Sequence, residues 1–227
     1  MPSNNPDRGA LGLLGGTFDP IHFGHLRLAE EAREALNLAQ VALIPAGRPP
    51  HRGAPQSPAV DRLEMVRLAS AGNPGLVVDT GEVFAPNKSY TVLTLERLRA
   101  QHGPDRPLVL ILGADAFNGL PGWHRWQDLF ALAHIAVANR PGFAPHGRRW
   151  PGTLSPELDA ACASRIDTHP AILHESPAGR VVPFDMTPLA ISASLIRDLI
   201  RGGHSARYLL PDPVLDYIGV HHLYRKT

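Results

Sequence analysis

The stretch Gly15-Gly16-Thr17-Phe18-Asp19-Pro20-Ile21-His22-Phe23-Gly24-His25 gathers glycines and two imidazoles just ahead of a helix-like pattern. Glycines at the end of a strand let the backbone approach a bulky anion, and the N-terminus of the next helix offers unpaired amides and a partial positive charge. His22 and His25 stand three apart across Gly24, so both rings can turn toward that anion and donate a hydrogen bond. The result is a phosphate cradle without the lysine of a Walker loop. A plainer alternative is a tight turn with a surface histidine pair or half of a zinc site. No cysteine or extra carboxylate stands at ligand spacing, so an anion fits better than a metal and no metal-ligating set is expected.

A second stretch, Ile191-Ser192-Ala193-Ser194-Leu195-Ile196-Arg197, reads as a helix start whose serines present hydroxyls and whose first turn presents amides. Arg197 lies about one turn further in and can fork onto phosphate oxygens. Alone, this is a capped helix with a surface arginine. Its weight comes from the first stretch.

These residues need strands and helices to hold them. The apolar run 10–14 stops at Gly15-Gly16 and reads as a buried strand, and 25–38 carries Leu28, Ala32, Ala35 and Leu36 at helical spacing. Residues 41–44 read as a second strand, followed by a proline-rich loop over 45–58. Ser57-Pro58 predicts a capped helix to Gly72, 76–80 a strand, and Ser89 a cap for a helix over 90–100. The run 108–112 is the most strand-like of all; 126–133 reads as helix and 135–138 as strand. Beyond Arg140 the pattern weakens to a helix opened by Ser155-Pro156 and a short strand over 171–174. Helices over 192–201 and 213–218 close the chain. Apolar strands alternating with helices predict an α/β fold: a single doubly wound, Rossmann-like parallel sheet with helices on both faces and a C-terminal helical segment. One domain over 10–227 is expected, behind a mobile leader over 1–9.

Composition narrows the partners. The chain has 227 residues and is 44% hydrophobic, enough to fill a core and to exclude disorder throughout. Twenty-two Lys+Arg oppose 21 Asp+Glu, with no basic run suited to a nucleic-acid backbone. A single cysteine, Cys162, can form no internal disulfide, which fits a reducing, cytoplasmic setting, and it reads as packing. No apolar run approaches the roughly 18 residues of a membrane span, so no membrane partner is expected. Trp126 reads as core and most histidines outside the motif as solvated. The sequence carries no signal for an oligomeric state.

Together the two stretches resemble the nucleotidyltransferase superfamily marked by His-x-Gly-His near the N-terminus and Ile-Ser-x-(Ser/Thr)-x-(Ile/Val)-Arg near the C-terminus. Between them, Gly-Gly-Thr-Phe-Asp-Pro, Pro49-Pro50-His51-Arg52, Ser89-Tyr90-Thr91 with Thr94-Leu95, Gly113-Ala114-Asp115 leading to Trp123, Arg140-Pro141-Gly142 and Leu209-Leu210-Pro211-Asp212-Pro213-Val214 are similar to bacterial nicotinate-nucleotide adenylyltransferases. The resemblance runs from about Gly12 to Tyr224, densest outside 143–190.

The resemblance implies transfer of the adenylyl group of ATP to nicotinate mononucleotide, giving nicotinate adenine dinucleotide and pyrophosphate in NAD synthesis. It implies His22, His25 and Arg197 as catalytic, with Gly15, Gly16, Phe18, Gly113, Asp115, Ser192 and Ser194 completing the ATP side. Thr17, Arg52, Tyr90, Thr91, Trp123, His124 and Arg140 would serve the mononucleotide, with Trp123 stacked on the pyridine ring and Thr91 near its carboxylate. Mg²⁺ is expected to arrive with ATP. Two positions depart from the pattern: Arg52 stands where many relatives carry lysine, and His124 where they often carry tyrosine. The competing readings are a related transferase acting on nicotinamide mononucleotide or phosphopantetheine, and a non-catalytic nucleotide sensor.

Overall fold

The computed structural model describes residues 9–50, 53–139 and 154–225. Apart from Gly9, the expected leader lies outside them. The chain opens with β1 (Leu11–Gly16), α1 (Phe23–Ala35), β2 (Gln40–Pro45), α2 (Ala59–Ser70), β3 (Leu76–Val78) and the one-turn α3 (Gly81–Phe84). It continues with α4 (Thr91–His102), β4 (Leu108–Gly113), α5 (Ala114–Asn118), α6 (Leu129–Leu132), β5 (His134–Asn139) and α7 (Pro156–Cys162). β6 (Val181–Asp185), α8 (Ala193–Arg201) and α9 (Asp212–Val220) complete it.

The six strands form one sheet in the order β3-β2-β1-β4-β5-β6. Every neighbouring pair is parallel, which is the doubly wound arrangement expected. Burial follows the period of two that a strand imposes. Val41, Leu43, Val109 and Ile111 face one core with α1, α8 and α9, while Leu11, Leu13, Leu108, Leu110 and Val137 face the other with α4 and α6. Because both faces are covered, the strands read as unbroken apolar runs, and each buried leucine or isoleucine contributes roughly 2 kcal/mol.

Several elements differ from expectation. The segment 171–174 is no strand: Pro170–His174 is a tight helical turn whose Leu173 is fully buried, so its apolar run packs as a plug. The sixth strand is instead Val181–Asp185, whose Pro183 masked it; on a sheet edge the missing amide is harmless. The segment 126–133 divides into a short turn at Trp126–Asp128 and α6, and neither α3 nor α5 was foreseen. Trp126 and Cys162 are buried as expected, and burial pushes the Cys162 thiol up to about 11, where it is inert. His134 is an exception among histidines expected to be mostly solvated. It is fully buried, with Nε2 at 2.8 Å from the Ser176 carbonyl and Nδ1 accepting from the Arg180 amide at 3.1 Å.

Candidate active site

In a doubly wound sheet, the crevice opens where the chain turns outward in opposite directions from adjacent strands. Here those strands are β1 and β4, and their carboxyl ends are Gly15-Gly16 and Gly113. A cleft of about 1670 Å³ lies across them. Every anticipated site residue within the described part of the chain lines it: Gly15, Gly16, Thr17, Phe18, His22, His25, Tyr90, Thr91, Gly113, Asp115, Trp123, His124, Ser192, Ser194 and Arg197. Arg52 and Arg140 lie outside the described residues.

At one end, α1 starts behind His22, whose backbone is extended at φ −150°, ψ 171°. A Cβ at Gly24 would stand 3.0 Å from the His22 ring, so glycine between the histidines is what lets that ring lie back over the helix start. The two imidazoles stack with centroids 3.7 Å apart, and the His22 amide donates to His25 Nδ1 at 3.3 Å, which leaves the His25 proton on Nε2. Phe18, held in the left-handed region at φ 50°, sets its ring edge-on against His25. His22 is only 6% exposed, and burial drives its imidazole down to about 4, so it is neutral near pH 7.

The second motif meets the first here. Ser192 caps α8, its Oγ accepting from the Leu195 amide at 3.1 Å. Arg197 donates through Nη1 to the Asp19 carbonyl at 2.7 Å and through Nη2 to Ser194 Oγ at 3.1 Å. His22 Nδ1 and Arg197 Nε are both buried without a hydrogen-bond partner in the protein. Buried polar atoms are almost always paired, so two such nitrogens in one cleft wall are unusual.

Beneath this end runs a polar frame. The buried Asp19 carboxylate accepts from Ser57 Oγ at 2.5 Å, the Tyr224 hydroxyl at 2.7 Å and the Gln56 amide at 2.7 Å. Ser57 is therefore not the cap of α2; Pro58 occupies that position and the hydroxyl is spent on Asp19. Arg62, 1% exposed, gathers the carbonyls of Thr17 at 2.6 Å, Gly47 at 3.2 Å and Ser57 at 3.3 Å. One guanidinium thus ties three loops around the cleft.

The other end is assembled by α3, α4 and the segment after α5. Tyr90, rather than Ser89, precedes the first turn of α4; Ser89 Oγ instead accepts from the Arg48 amide at 3.1 Å. The Tyr90 ring packs on His124 with centroids 4.5 Å apart, and Trp123 is half-buried beside them. Gly47 crosses directly over the Glu82 carbonyl, where no side chain fits. Glu82 accepts from Thr94 Oγ1 at 2.6 Å, and burial holds its carboxyl above the usual range. Among the described residues there is no group of three or more His, Cys, Asp or Glu able to hold a metal ion, and no helix long and apolar enough to cross a membrane.

Comparison with known proteins agrees with this architecture. A probable nicotinate-nucleotide adenylyltransferase of Dechloromonas aromatica is 58% identical over 96% of this chain and 98% of its own length. The chain belongs to the nicotinate-nucleotide adenylyltransferase family. Members from Laribacter hongkongensis and Pseudomonas putida are 49% and 47% identical over 96% and 95% of the chain, and the broader cytidylyltransferase-like family matches residues 13–199. The solved Plasmodium falciparum nicotinic acid mononucleotide adenylyltransferase, complexed with APC, shares the fold at a TM-score of 0.65 and 14% identity, covering 96% of this chain and 98% of its own.

In this family member, sequence reasoning overlooked Arg62, Tyr224 and Glu82, and gave Ser57 only a capping role. Asp19 was visible inside the first motif without a function, and its partners lie 38 and 205 positions away, beyond any local pattern. Arg62 sits on an ordinary helix, and only its burial distinguishes it.

Proposed function

We propose that this chain transfers the adenylyl group of ATP to nicotinate mononucleotide, forming nicotinate adenine dinucleotide and releasing pyrophosphate, a step of NAD biosynthesis. The observation that carries the reading is the meeting of His22 and His25 of the first motif with Ser192, Ser194 and Arg197 of the second in one cleft. The attacking phosphate of the mononucleotide is already ionised at neutral pH, so no general base is needed. One of its oxygens forms a bond to the α-phosphorus as the bond to the β-phosphate oxygen breaks, and the electron pair leaves with pyrophosphate. The barrier is the approach of negative charge to negative charge, and donors fixed beforehand lower it.

His22, His25 and Arg197 are the donors. Neutral His22 and His25 suit the α-phosphoryl oxygens, His25 through Nε2, while Arg197 with Ser192 and Ser194 suits the β,γ end. Gly15, Gly16, Phe18 and Gly113 shape the ATP side, and Asp115, in the first turn of α5, is placed for ribose hydroxyls. Thr17 serves the mononucleotide phosphate. Trp123 offers its ring to the pyridine, Tyr90 and His124 pack beside it, and Thr91 with the first amides of α4 receives the carboxylate. Arg52 and Arg140 complete the mononucleotide side in this reading.

Mg²⁺ fits as a companion of ATP: the Asp19 carboxylate is occupied by its three donors, so the triphosphate oxygens and water would supply the ligands. Bound there, it offsets charge on the departing pyrophosphate. A cytoplasmic setting belongs to the same reading, supported by the single buried, unpaired Cys162.

Pyrophosphate release from ATP and Mg²⁺, with nicotinate mononucleotide, nicotinamide mononucleotide and phosphopantetheine offered separately, tests it. Release with the nicotinate form well above the others is expected. Preference for the amide or for phosphopantetheine moves the substrate, and silence with all three from folded protein favours a sensor.

A further inference from the structure

Glu82 is a half-buried carboxyl in the cleft wall that the reaction as proposed does not use. Its Oε1 accepts from Thr94 Oγ1 at 2.6 Å. Thr94 lies one turn into α4, so Glu82 backs the turn whose amides would receive a ring carboxylate. Among the described residues the charged groups around it are few. Asp79, just after β3, adds negative charge; Arg97 of α4 opposes it but is paired with that same Asp79 at 2.5 Å. Arg62 of α2 faces it while committed to three carbonyls, and the Arg48 guanidinium turns to the Pro86 carbonyl at 2.9 Å.

Two carboxylates in one confined site do not both ionise cheaply. A substrate bearing a permanently ionised carboxylate is therefore favoured where the protein's own carboxyl holds its proton. We propose that Glu82 is a specificity-determining residue: as the neutral acid it favours an acid-bearing pyridine ring in the cleft, and its ionisation weakens the hold on that ring. This rests on the nicotinate mononucleotide reading. Burial, above all, and Asp79 hold the proton on Glu82 above the ordinary carboxylate range, while the Thr94 bond and the charge of Arg97, which favour the ionised form, pull the other way. The sign follows: as pH rises through the Glu82 titration, a negative charge appears behind α4 and affinity for the carboxylate falls.

The test is the Kd of nicotinate mononucleotide, measured by calorimetry on wild type and Glu82→Gln in parallel from about pH 5.5 to about pH 9. Glutamine is isosteric with the neutral acid and keeps an acceptor for Thr94. Wild-type affinity should fall roughly tenfold toward alkaline pH relative to the variant, whose profile carries only the titrations that the two proteins share. Thr94→Val removes a donor to the ionised carboxylate and should move the wild-type fall to higher pH, an effect that a packing role does not predict. Parallel profiles for wild type and Glu82→Gln, with both binding, would overturn the assignment. Absence of binding and of pyrophosphate release in folded wild type would overturn the mononucleotide reading, and this inference with it.

Discussion

Where α1 meets α8, the cleft is walled by groups with little freedom: His22 is 6% exposed, its ring is stacked on His25, and Arg197 is held by the Asp19 carbonyl and Ser194. Where α4 faces the segment after α5, the wall is made of the half-buried or exposed side chains Tyr90, Trp123 and His124, with the Tyr90 ring packed on His124. The first end is oriented by backbone and by a buried polar frame; the second is shaped by surfaces that still contact solvent. A charge-stabilising site gains from donors that need no reorganisation, whereas a ring-recognising site needs area and shape. Damage at the first end should therefore fall on turnover and folding, and damage at the second on substrate affinity.

The largest effect that tests this contrast is His25→Ala, expected to lower kcat by roughly 100-fold or more with the fold retained, since one preorganised donor is worth about 3 to 4 kcal/mol. Steady-state pyrophosphate release with circular dichroism checks it, and normal turnover removes His25 from the chemistry. Next is acid stability. The native imidazole of His22 sits near 4 against 6.5 when free, so the unfolded state takes up a proton first and stability is lost as pH falls from about 6.5 to about 4. The loss approaches about 3 kcal/mol, and in urea melts it should shrink in His22→Asn. At the other end, Trp123→Ala should raise KM for the mononucleotide about tenfold and leave that for ATP nearly unchanged. Equal rises for both substrates would make Trp123 a packing residue. Smallest is Tyr224→Phe, which removes one donor from Asp19 and should cost about 1 kcal/mol in denaturant unfolding with KM for the mononucleotide unchanged.

The same contrast governs what could be read from sequence. The strands were legible because burial on both sides demands unbroken apolar runs, and the first motif because its chemistry is packed between a strand and a helix. β6 was not, because Pro183 interrupts a short run, and 171–174 misled because an apolar plug and an apolar strand look alike over four residues. At the site, His22, His25 and Arg197 were visible as motif members; Ser57 and Ser89 were assigned to helix caps because a local rule sees only neighbours, while their partners, Asp19 and Arg48, come from distant loops. Arg62 and Glu82 carry no pattern at all. Their importance comes from burial, which is a property of the assembled chain.

The bond between Tyr224 and Asp19 closes a loop of 205 positions, and that between Arg197 and Asp19 one of 178. Contacts of such separation form late, since the entropy of closing the loop must be met before they return any stability. During synthesis the first motif emerges from the ribosome long before the residues that clamp it, so a nascent chain carries the histidines without a finished nucleotide site. A chain halted between β6 and α8 would hold all six strands and the Ser57 and Gln56 bonds to Asp19, but neither Arg197 nor Tyr224 to close the motif.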